Sequence, residues 1–222
     1  MCGRFSLITE VYSLMQQFDF EFDGDLNPRY NIAPGTNILA IVNRGGKRVG
    51  MDFRWGLIPY WANDEKIGYK MINARAESVH EKPSFKNPLK TRRCLIPADG
   101  YFEWKREGKT KQPYRFVSKE TVPFAFAGLF DRWDKDGKTI FSCTIITTEA
   151  NEKTAAIHDR MPAILEPEQQ KIWLDPAVDN PLELTSLLTP FPSNKIDFYE
   201  VSTLVNSARN EDKEIILPLN SK

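Results

Sequence analysis

Apolar and polar residues near the start of the chain follow the periods of a helix and of a β-hairpin. In TEVYSLMQQF (9–18), apolar residues recur every three or four positions, which predicts an amphipathic helix with Thr9 as its N-cap. Further on, ILAIVN (38–43) precedes the turn RGGK (44–47), and VGMDFRWGL (49–57) alternates apolar residues with glycine or polar ones. This period of two predicts a β-hairpin with one buried face.

The patterns in the rest of the chain predict more strands than helices. An ordered loop is predicted at 26–37, and helical or irregular chain at 73–93. Strands are predicted at 94–105, 113–119, 124–131, 139–148 and 197–205, and helices at 149–158, 166–174 and 181–188. The predicted fold is therefore α+β, a single domain over 1–222 with an antiparallel or mixed, barrel-like sheet core, short peripheral helices and a polar tail from about 211.

The composition agrees with a folded domain that is neither secreted nor embedded in a membrane. Of 222 residues, 41% are hydrophobic and 12% aromatic, which is enough to bury a core. No apolar run reaches the roughly 20 residues that cross a bilayer, and the acidic residues 1–30 lack the apolar stretch of a signal peptide. Cys2, Cys94 and Cys143 are few, odd in number and far apart, which favours reduced thiols in a cytosolic or nuclear setting, and the location predicted here is cytoplasmic.

A net charge of zero conceals one basic segment. Residues 66–116 hold 13 Lys and Arg against 5 Asp and Glu, whereas 1–65 and 117–222 are both net acidic. A neutral protein with such a segment presents an anion-binding face if the basic side chains cluster. If they scatter over solvated faces instead, the segment has no functional meaning.

Several common kinds of active site lack their sequence motifs. The two histidines and three dispersed cysteines have no zinc-binding spacing. The chain contains no phosphate-binding glycine loop of the nucleotide-binding families and no G-x-S-x-G nucleophile elbow. We therefore expect no metal and no small-molecule cofactor, and the chemistry has to come from ordinary side chains.

Cys2 is the first candidate among them, because it follows the initiator methionine in MCGRF. Methionine is commonly removed before a small residue, and its removal would leave Cys2 with a free α-amine beside its thiol. The amine titrates at about 8 and the thiol at about 8.5, whereas a lysine amine titrates at about 10.4. Cys2 would thus supply two nucleophiles at neighbouring carbons. The alternative is a frayed terminus without a role.

Three further segments contain polar side chains that could take part in catalysis or binding. In MINARAES (71–78), Asn73 and Arg75 share a side if the segment is extended, although both are also common in turns and surface ion pairs. In ADGYFEW (98–104), Glu103 lies between aromatic residues, whose burial would raise its pKa; a lysine-paired carboxylate is the alternative. In IHDRMP (157–162), His158 precedes Arg160 and either exchanges protons near neutral pH or simply ends a helix.

Six blocks of the sequence, taken together, resemble the SOS response-associated peptidase (SRAP) family. They occur in family order, and VNSARN (205–210) is also family-like. The blocks are MCGRF (1–5), YNIAPG (30–35), WGLIPYW (55–61), INARAE (72–77), DGYFEW (99–104) and HDRMP (158–162).

The resemblance implies a sensor and shield for abasic sites in single-stranded DNA. The amine of the mature Cys2 would condense with the aldehyde of the open sugar, and its thiol would close a thiazolidine ring. Asn73 would orient the amine or the sugar, and Glu103 would move protons during both steps. His158 would serve as acid or base for sugar-ring opening and for slow reversal of the link.

The resemblance also implies which residues contact the DNA. Arg4, Arg75 and Arg160 would bind the flanking phosphates, since arginine offers a rigid bidentate fork. Pro34 and Trp104 would wedge or stack beside the gap left by the missing base. The partner is thus single-stranded DNA with abasic sites, bound by a cytoplasmic monomer that associates with the nucleoid and needs no membrane.

Two other functions fit the same residues. The family name points to a peptidase, and an N-terminal cysteine with Asn, Glu and His nearby also describes an N-terminal-nucleophile amidohydrolase that removes Met1 from itself. Reversal of a DNA link would be a lyase reaction. A third reading is a non-catalytic binding module for damaged DNA in which Cys2 is structural. The basic segment supports DNA crosslinking and non-catalytic DNA binding alike, and it gives no support to a general peptidase.

Overall fold

The protein contains two β-sheets and a few short helices, here described from a computed structural model over residues 2–108, 110–120 and 122–219. The strands are β1 (Phe5–Leu7), β2 (Arg29–Ile32), β3 (Asn37–Arg44), β4 (Lys47–Trp55), β5 (Asn73–Arg75), β6 (Arg93–Ala98), β7 (Gly100–Glu107), β8 (Thr110–Ser118), β9 (Phe124–Lys135), β10 (Lys138–Glu149), β11 (Arg160–Pro162), β12 (Ile164–Leu165) and β13 (Ile196–Glu200). The α-helices are α1 (Val11–Phe18), α2 (Pro83–Thr91), α3 (Pro167–Leu174) and α4 (Pro181–Ser186).

Five strands close into a barrel. Strands β4, β3, β6, β9 and β10 pair in that order and antiparallel, and β10 returns to pair with β4 in parallel. The far end of β10 also pairs with β5 in parallel and with β11 antiparallel. These two short strands therefore extend one end of the barrel, and both carry residues of the candidate site.

The second sheet is antiparallel, in the order β13, β8, β7, β1 and β2. Aromatic rings join it to the barrel: the ring centroids of Phe5 lie 5.3 Å from Trp55 and 5.8 Å from Phe126. Tyr101 meets Phe126 edge-on at 6.2 Å. The predicted α+β domain with a barrel-like mixed sheet core and short helices is thus confirmed.

The amphipathic helix and the β-hairpin that the hydrophobic pattern predicts near the start of the chain are also confirmed, with one correction. The β3–β4 hairpin turns at Gly45 and Gly46, whose φ angles of 60° and 88° favour glycine. Helix α1 begins after Glu10, so the prediction of Thr9 as its N-cap is wrong. The hydroxyl of Thr9 donates instead to the Asp99 carboxylate at 2.6 Å.

The predicted strand 94–105 is two strands in different sheets. The chain breaks at Asp99, because its carboxylate is buried and accepts hydrogen bonds from the backbone N–H groups of Ile8 and Thr9. This contact ties the chain to the segment after β1, so β6 stays in the barrel while β7 starts in the second sheet. Because of this break, Glu103 lies on β7 of the second sheet, the strand that pairs with β1.

Other predicted boundaries also shift. The loop 26–37 contains β2, and 73–93 divides into β5, the 3₁₀ turn Ala76–Ser78 and α2. The predicted helix 149–158 is wrong except for a 3₁₀ turn at Thr154–Ala156. The helices predicted at 166–174 and 181–188 are confirmed as α3 and α4.

The C-terminal part differs most from its prediction. The strand predicted at 197–205 ends at Glu200 and is followed by a 3₁₀ turn at Thr203–Asn206. Within the polar tail predicted from about 211, Lys213–Ile216 forms a 3₁₀ turn, and Ile215 is fully buried beside Phe102. No helix of the described residues is long and apolar enough to cross a membrane.

Candidate functional site

Cys2, Glu103 and His158 converge where the second sheet meets the end of the barrel. Glu103 lies on β7, next to the strand that follows Cys2, and His158 lies in the turn that leads from β10 into β11. The Nε2 atom of His158 is 3.9 Å from Oε2 of Glu103. The charge of Glu103 also acts on the Cys2 thiol. The structure thus brings these three candidate residues together, and their catalytic roles stay predictions.

Glu103 is buried, with 3% of its surface exposed. Burial disfavours the charged carboxylate and raises its pKa to about 7. This confirms the expectation drawn from its aromatic neighbours. A carboxyl group with this pKa can both accept and donate a proton at neutral pH, which is what a proton-transfer residue requires.

His158 is held in its neutral form with a defined tautomer. Its Nδ1 atom lies 3.0 Å from the backbone nitrogen of Arg160 and 2.9 Å from a carboxylate oxygen of Asp159. The backbone N–H has a fixed direction, whereas the Asp159 side chain is exposed and free to turn, so Nδ1 is the acceptor of the N–H bond. The proton then sits on Nε2, facing Glu103. Burial lowers the pKa of His158, which favours this neutral ring.

Cys2 is fully buried, and its thiol is protonated in this environment. Burial, followed by the negative charge of Glu103, raises the pKa of the thiol well above its ordinary value. A thiolate therefore forms only if a base takes the proton locally and a hydrogen bond or positive charge stabilises the sulfur. Glu103 is the base in position to do so.

Asn73 lies on β5, beside the end of β10. Its amide nitrogen donates a long hydrogen bond of 3.4 Å to the carbonyl of Ile145. Its Oδ1 atom is buried and has no hydrogen-bond partner among the described residues. A buried acceptor without a partner is costly and indicates a place for a ligand donor. Arg75, two residues on, is exposed.

Arg4 is engaged within the protein. Its Nη1 atom donates to Oδ1 of Asn31 at 2.7 Å and to the carbonyl of Val205 at 2.5 Å. Its guanidinium also lies 6.0 Å from the ring centroid of Trp104, whose indole N–H donates to Asn206 at 2.7 Å. Arg4 therefore joins the strand after Cys2 to the C-terminal segment.

Arg160 is likewise engaged. Its two terminal nitrogens contact the Glu77 carboxylate at 2.7 and 3.1 Å in a bidentate pair. One of them also donates to the carbonyl of Thr147 at 2.7 Å. Arg160 is buried and so braces β11 against the turn that follows β5. Its predicted contact with a phosphate stays a prediction, as does that of Arg4.

A groove of about 480 Å³ opens over this cluster. Three of the predicted site residues, Glu103, Trp104 and His158, line this groove. Arg106 and Lys111, which are paired across β7 and β8, also line it. Pro34, Asn73 and Arg75 are not among the described residues that line it. The residues that line it are Glu103, Trp104, Arg106, Lys111, His158 and Asn206.

Four residues of this region were not singled out in the sequence. Arg106 and Lys111 belong to the basic segment, but only the register of the β7–β8 hairpin pairs them beside Glu103. Asn31 and Asn206 lie in the blocks YNIAPG and VNSARN, whose role in the fold shows only once they are in contact with Arg4 and Trp104. Within the described part of the chain, no group of three His, Cys, Asp or Glu side chains could hold a metal ion.

The chain is similar to known proteins over nearly its whole length. It is 50% identical over 221 residues to the abasic site processing protein YoqW of Bacillus subtilis, covering 97% of this chain and 99% of that protein. It is 35% identical over 237 residues to the abasic site processing protein HMCES of Gallus gallus, covering 92% of this chain and 70% of that protein.

Solved structures show the same fold. A crystal structure of a Bacteroides thetaiotaomicron protein matches with a TM-score of 0.90 at 33% identity, covering 98% of this chain and 99% of that one. A phage-related protein of Bordetella bronchiseptica matches with a TM-score of 0.74 at 29% identity, over 91% and 95% of the two chains. The family profile described as SOS response associated peptidase (SRAP) matches residues 1–208. The chain therefore belongs to the SRAP family.

Proposed function

We propose that this protein captures abasic sites in single-stranded DNA by a covalent bond to Cys2. The observation that carries the proposal is a buried Glu103 with a pKa of about 7, which lies 3.9 Å from His158, acts on the Cys2 thiol through its charge and lines a cationic groove. The names of the relatives, abasic site processing proteins, support the same substrate.

The first step is imine formation by the α-amine of Cys2 after removal of Met1. An abasic sugar in its open form carries an aldehyde, and the amine adds to it with loss of water. Glu103 delivers the proton that the departing hydroxyl needs, because about half of it is protonated near pH 7. His158, with its proton on Nε2, serves as acid or base in opening the sugar ring.

The second step is ring closure by the thiol of the same residue. The sulfur adds to the imine carbon and gives a thiazolidine, which withstands denaturation better than an imine does. Because both nucleophiles belong to one residue, the attack is intramolecular, and well-oriented cases reach effective molarities of about 10⁵–10⁸ M. Asn73, with its unpaired carbonyl oxygen, accepts a hydrogen bond from the amine or from a sugar hydroxyl.

DNA is held by the cationic rim of the groove and by an aromatic surface. Arg106 and Lys111 are exposed at the groove, and Arg75 is exposed nearby on β5, so all three are free to reach phosphates. Trp104 offers a ring on which a base neighbouring the lesion stacks, a contact worth about 1–3 kcal/mol. Binding of this kind depends on salt and not on base sequence.

The test uses mature protein, with Met1 removal verified by intact mass, and a single-stranded oligonucleotide containing one abasic site. We expect a denaturation-resistant adduct whose mass is that of protein plus oligonucleotide less one water. The Cys2→Ala variant keeps the amine and loses the thiol, so its adduct survives denaturation only after borohydride reduction. Cys94→Ala removes a buried thiol on β6 and is the matched control, with a yield like that of the unchanged protein.

Two outcomes contradict the proposal. An equal yield of unreduced adduct from the Cys2→Ala variant removes the thiol from the mechanism. Cleavage of added peptides by the mature protein, without any adduct to DNA, supports the N-terminal-nucleophile peptidase instead.

A further inference from the structure

Tyr101 lies on the same strand as Glu103, two residues earlier, and its side chain projects from the same face of β7. Its ring is fixed by stacking on Phe116 of β8, with centroids 4.7 Å apart and planes 8° from parallel. It also meets Phe126 of the barrel edge-on at 6.2 Å. The position of its hydroxyl is therefore set by packing on two sides.

The hydroxyl of Tyr101 is buried and has no hydrogen-bond partner among the described residues. Other tyrosines of the same sheet are satisfied: Tyr114 donates to Glu200 and Tyr199 to the carbonyl of Ile216, each at 2.8 Å. An unpaired buried hydroxyl destabilises a protein, whereas phenylalanine in its place would not. A tyrosine at this position calls for an acceptor that the resting fold does not supply.

The Cys2 thiol lies close enough to the Tyr101 hydroxyl to act on its ionisation. Strand β1 pairs with β7 so that Phe5 faces Tyr101, and the N–H of Phe102 donates to the carbonyl of Arg4, which brings the residues before β1 alongside β7. Burial raises the pKa of Tyr101 well above its ordinary value, and the ionised forms of Cys2 and Glu103 would raise it further. The phenol therefore stays protonated and acts as a hydrogen-bond donor.

We propose that Tyr101 is a further catalytic residue, whose hydroxyl donates a hydrogen bond to the sulfur of Cys2 during ring closure. This inference rests on the proposed function. The thiol proton passes to the Glu103 carboxylate, and an electron pair of sulfur forms the bond to the iminium carbon. The π pair of the C=N bond returns to nitrogen, which becomes the neutral amine of the thiazolidine. Tyr101 keeps its own proton and stabilises the sulfur while it is negative.

The inference explains how a deeply buried thiol reacts. Glu103 supplies a base, but once it has taken the thiol proton it is neutral, and the new thiolate is buried, which is the main reason why the pKa of the thiol is raised. A hydrogen bond from the Tyr101 hydroxyl would stabilise this thiolate, since hydrogen bonds to charged groups are the strong ones. The backbone N–H of Arg4 already donates one hydrogen bond to the sulfur, and Tyr101 would add a second. The guanidinium of Arg4 is engaged with Asn31 and Val205.

The experiment follows the two steps separately in the Tyr101→Phe variant. Mature protein is mixed with the abasic oligonucleotide and quenched with borohydride at intervals. Borohydride adds hydrogen to an imine and leaves a thiazolidine unchanged, so intact mass separates the two. We expect imine formation at the rate of the unchanged protein and ring closure about 10- to 100-fold slower at neutral pH.

The pH profile and a stability measurement distinguish this role from a structural one. Ring closure in both proteins should speed up as pH rises through about 7, because the buried thiol stays protonated and ionised Glu103 is the base that takes its proton. Tyr101→Phe should lower the rate without moving this midpoint; a shifted midpoint would show that the variant disturbs Glu103, His158 or Asp159, the titratable groups around the site, and would overturn the inference. Tyr199→Phe, which removes the hydroxyl bonded to Ile216, is the control and should close the ring at the unchanged rate. The melting temperature of Tyr101→Phe should equal or exceed that of the unchanged protein.

Ring closure by Tyr101→Phe at the unchanged rate overturns the inference and leaves the proposed function intact. An equal slowing of both steps, with a lower melting temperature, overturns it too, because Tyr101 then acts through the fold. Absence of any adduct from the unchanged mature protein overturns the proposed function itself.

Discussion

At the scale of single residues, burial sets the protonation state of the candidate site. It raises the pKa of Glu103 to about 7, raises that of the Cys2 thiol, and lowers that of His158. All three groups are thereby shifted toward their neutral forms. Burial thus lowers the amount of charge in the site, because a buried charge is costly, and leaves Glu103 able to exchange a proton near pH 7.

Replacing Glu103 by Gln should separate binding from chemistry. The amide has the same shape and cannot accept a proton, so we expect adduct formation to slow by about 10²–10⁴-fold, the usual contribution of general acid–base catalysis. Affinity for an uncut, undamaged single strand should stay unchanged, as measured by fluorescence anisotropy. A parallel loss of affinity would show that Glu103 is needed for the shape of the groove.

The same substitution should stabilise the protein in a pH-dependent way. A carboxyl group whose pKa is higher in the folded state than in the unfolded one costs stability as pH rises from about 4.5 to about 7. Glutamine does not titrate. The Glu103→Gln variant should therefore gain roughly 2–4 kcal/mol of unfolding free energy at pH 8 and almost nothing near pH 4. Urea denaturation at several pH values, with the same N-terminus in both proteins, measures this; a constant difference would contradict the pKa shift.

At the scale of secondary-structure elements, the sequence pattern predicts those helices and strands that are stabilised by contacts between residues close together in sequence. The β3–β4 hairpin and α1 follow from period and turn residues that lie within the elements themselves. The division between β6 and β7 could not be predicted, because it depends on the contact of Asp99 with residues 8 and 9. The structure of the segment after Glu200 could not be predicted for the same reason. The burial of Ile215, for example, depends on packing against Phe102, which is far away in sequence.

The C-terminal segment should loosen when Asn31 is replaced by Ala. The buried amide of Asn31 donates to the carbonyls of Ser207 and Asn210 at 2.9 and 2.8 Å and accepts from Arg4. We expect a loss of roughly 1–3 kcal/mol in unfolding free energy, together with faster hydrogen exchange at 203–211. Asn87→Ala, on the exposed face of α2, is the control and should stay within about 0.5 kcal/mol of the unchanged protein. Unaltered exchange at 203–211 would contradict the role given to Asn31.

At the scale of the whole molecule, the basic side chains of residues 66–116 have two different roles. Arg106 and Lys111 stay at the surface of the groove, whereas Arg93 is buried and donates to five backbone carbonyls. Sequence alone identifies the catalytic candidates, since their residue types limit their chemistry. It does not tell a phosphate-binding arginine from a bracing one, because the partner of Arg4 or Arg160 lies elsewhere in the chain.

Salt dependence of DNA binding should distinguish these uses. Arg106→Ala should weaken binding to every single strand alike and reduce the slope of log affinity against log salt by about 1. Arg160→Lys should leave that slope unchanged and lower the melting temperature, because lysine cannot keep the bidentate pair with Glu77. Lys171→Ala on α3, outside the groove, is the control. A reduced slope for Arg160→Lys would restore its predicted contact with phosphate.

Arg4 leaves the ribosome 201 residues ahead of Val205, whose carbonyl it binds. Until Val205 emerges, the strand that follows Cys2 lacks the contact that fixes it at this end of the second sheet. The amino end is thus synthesised first and anchored among the last. A chain that stops short of Val205 holds Cys2 without this anchor. If Cys2 reacts as proposed, ribosomal stalling or proteolysis near the carboxyl end would therefore disable a residue at the opposite end of the polypeptide.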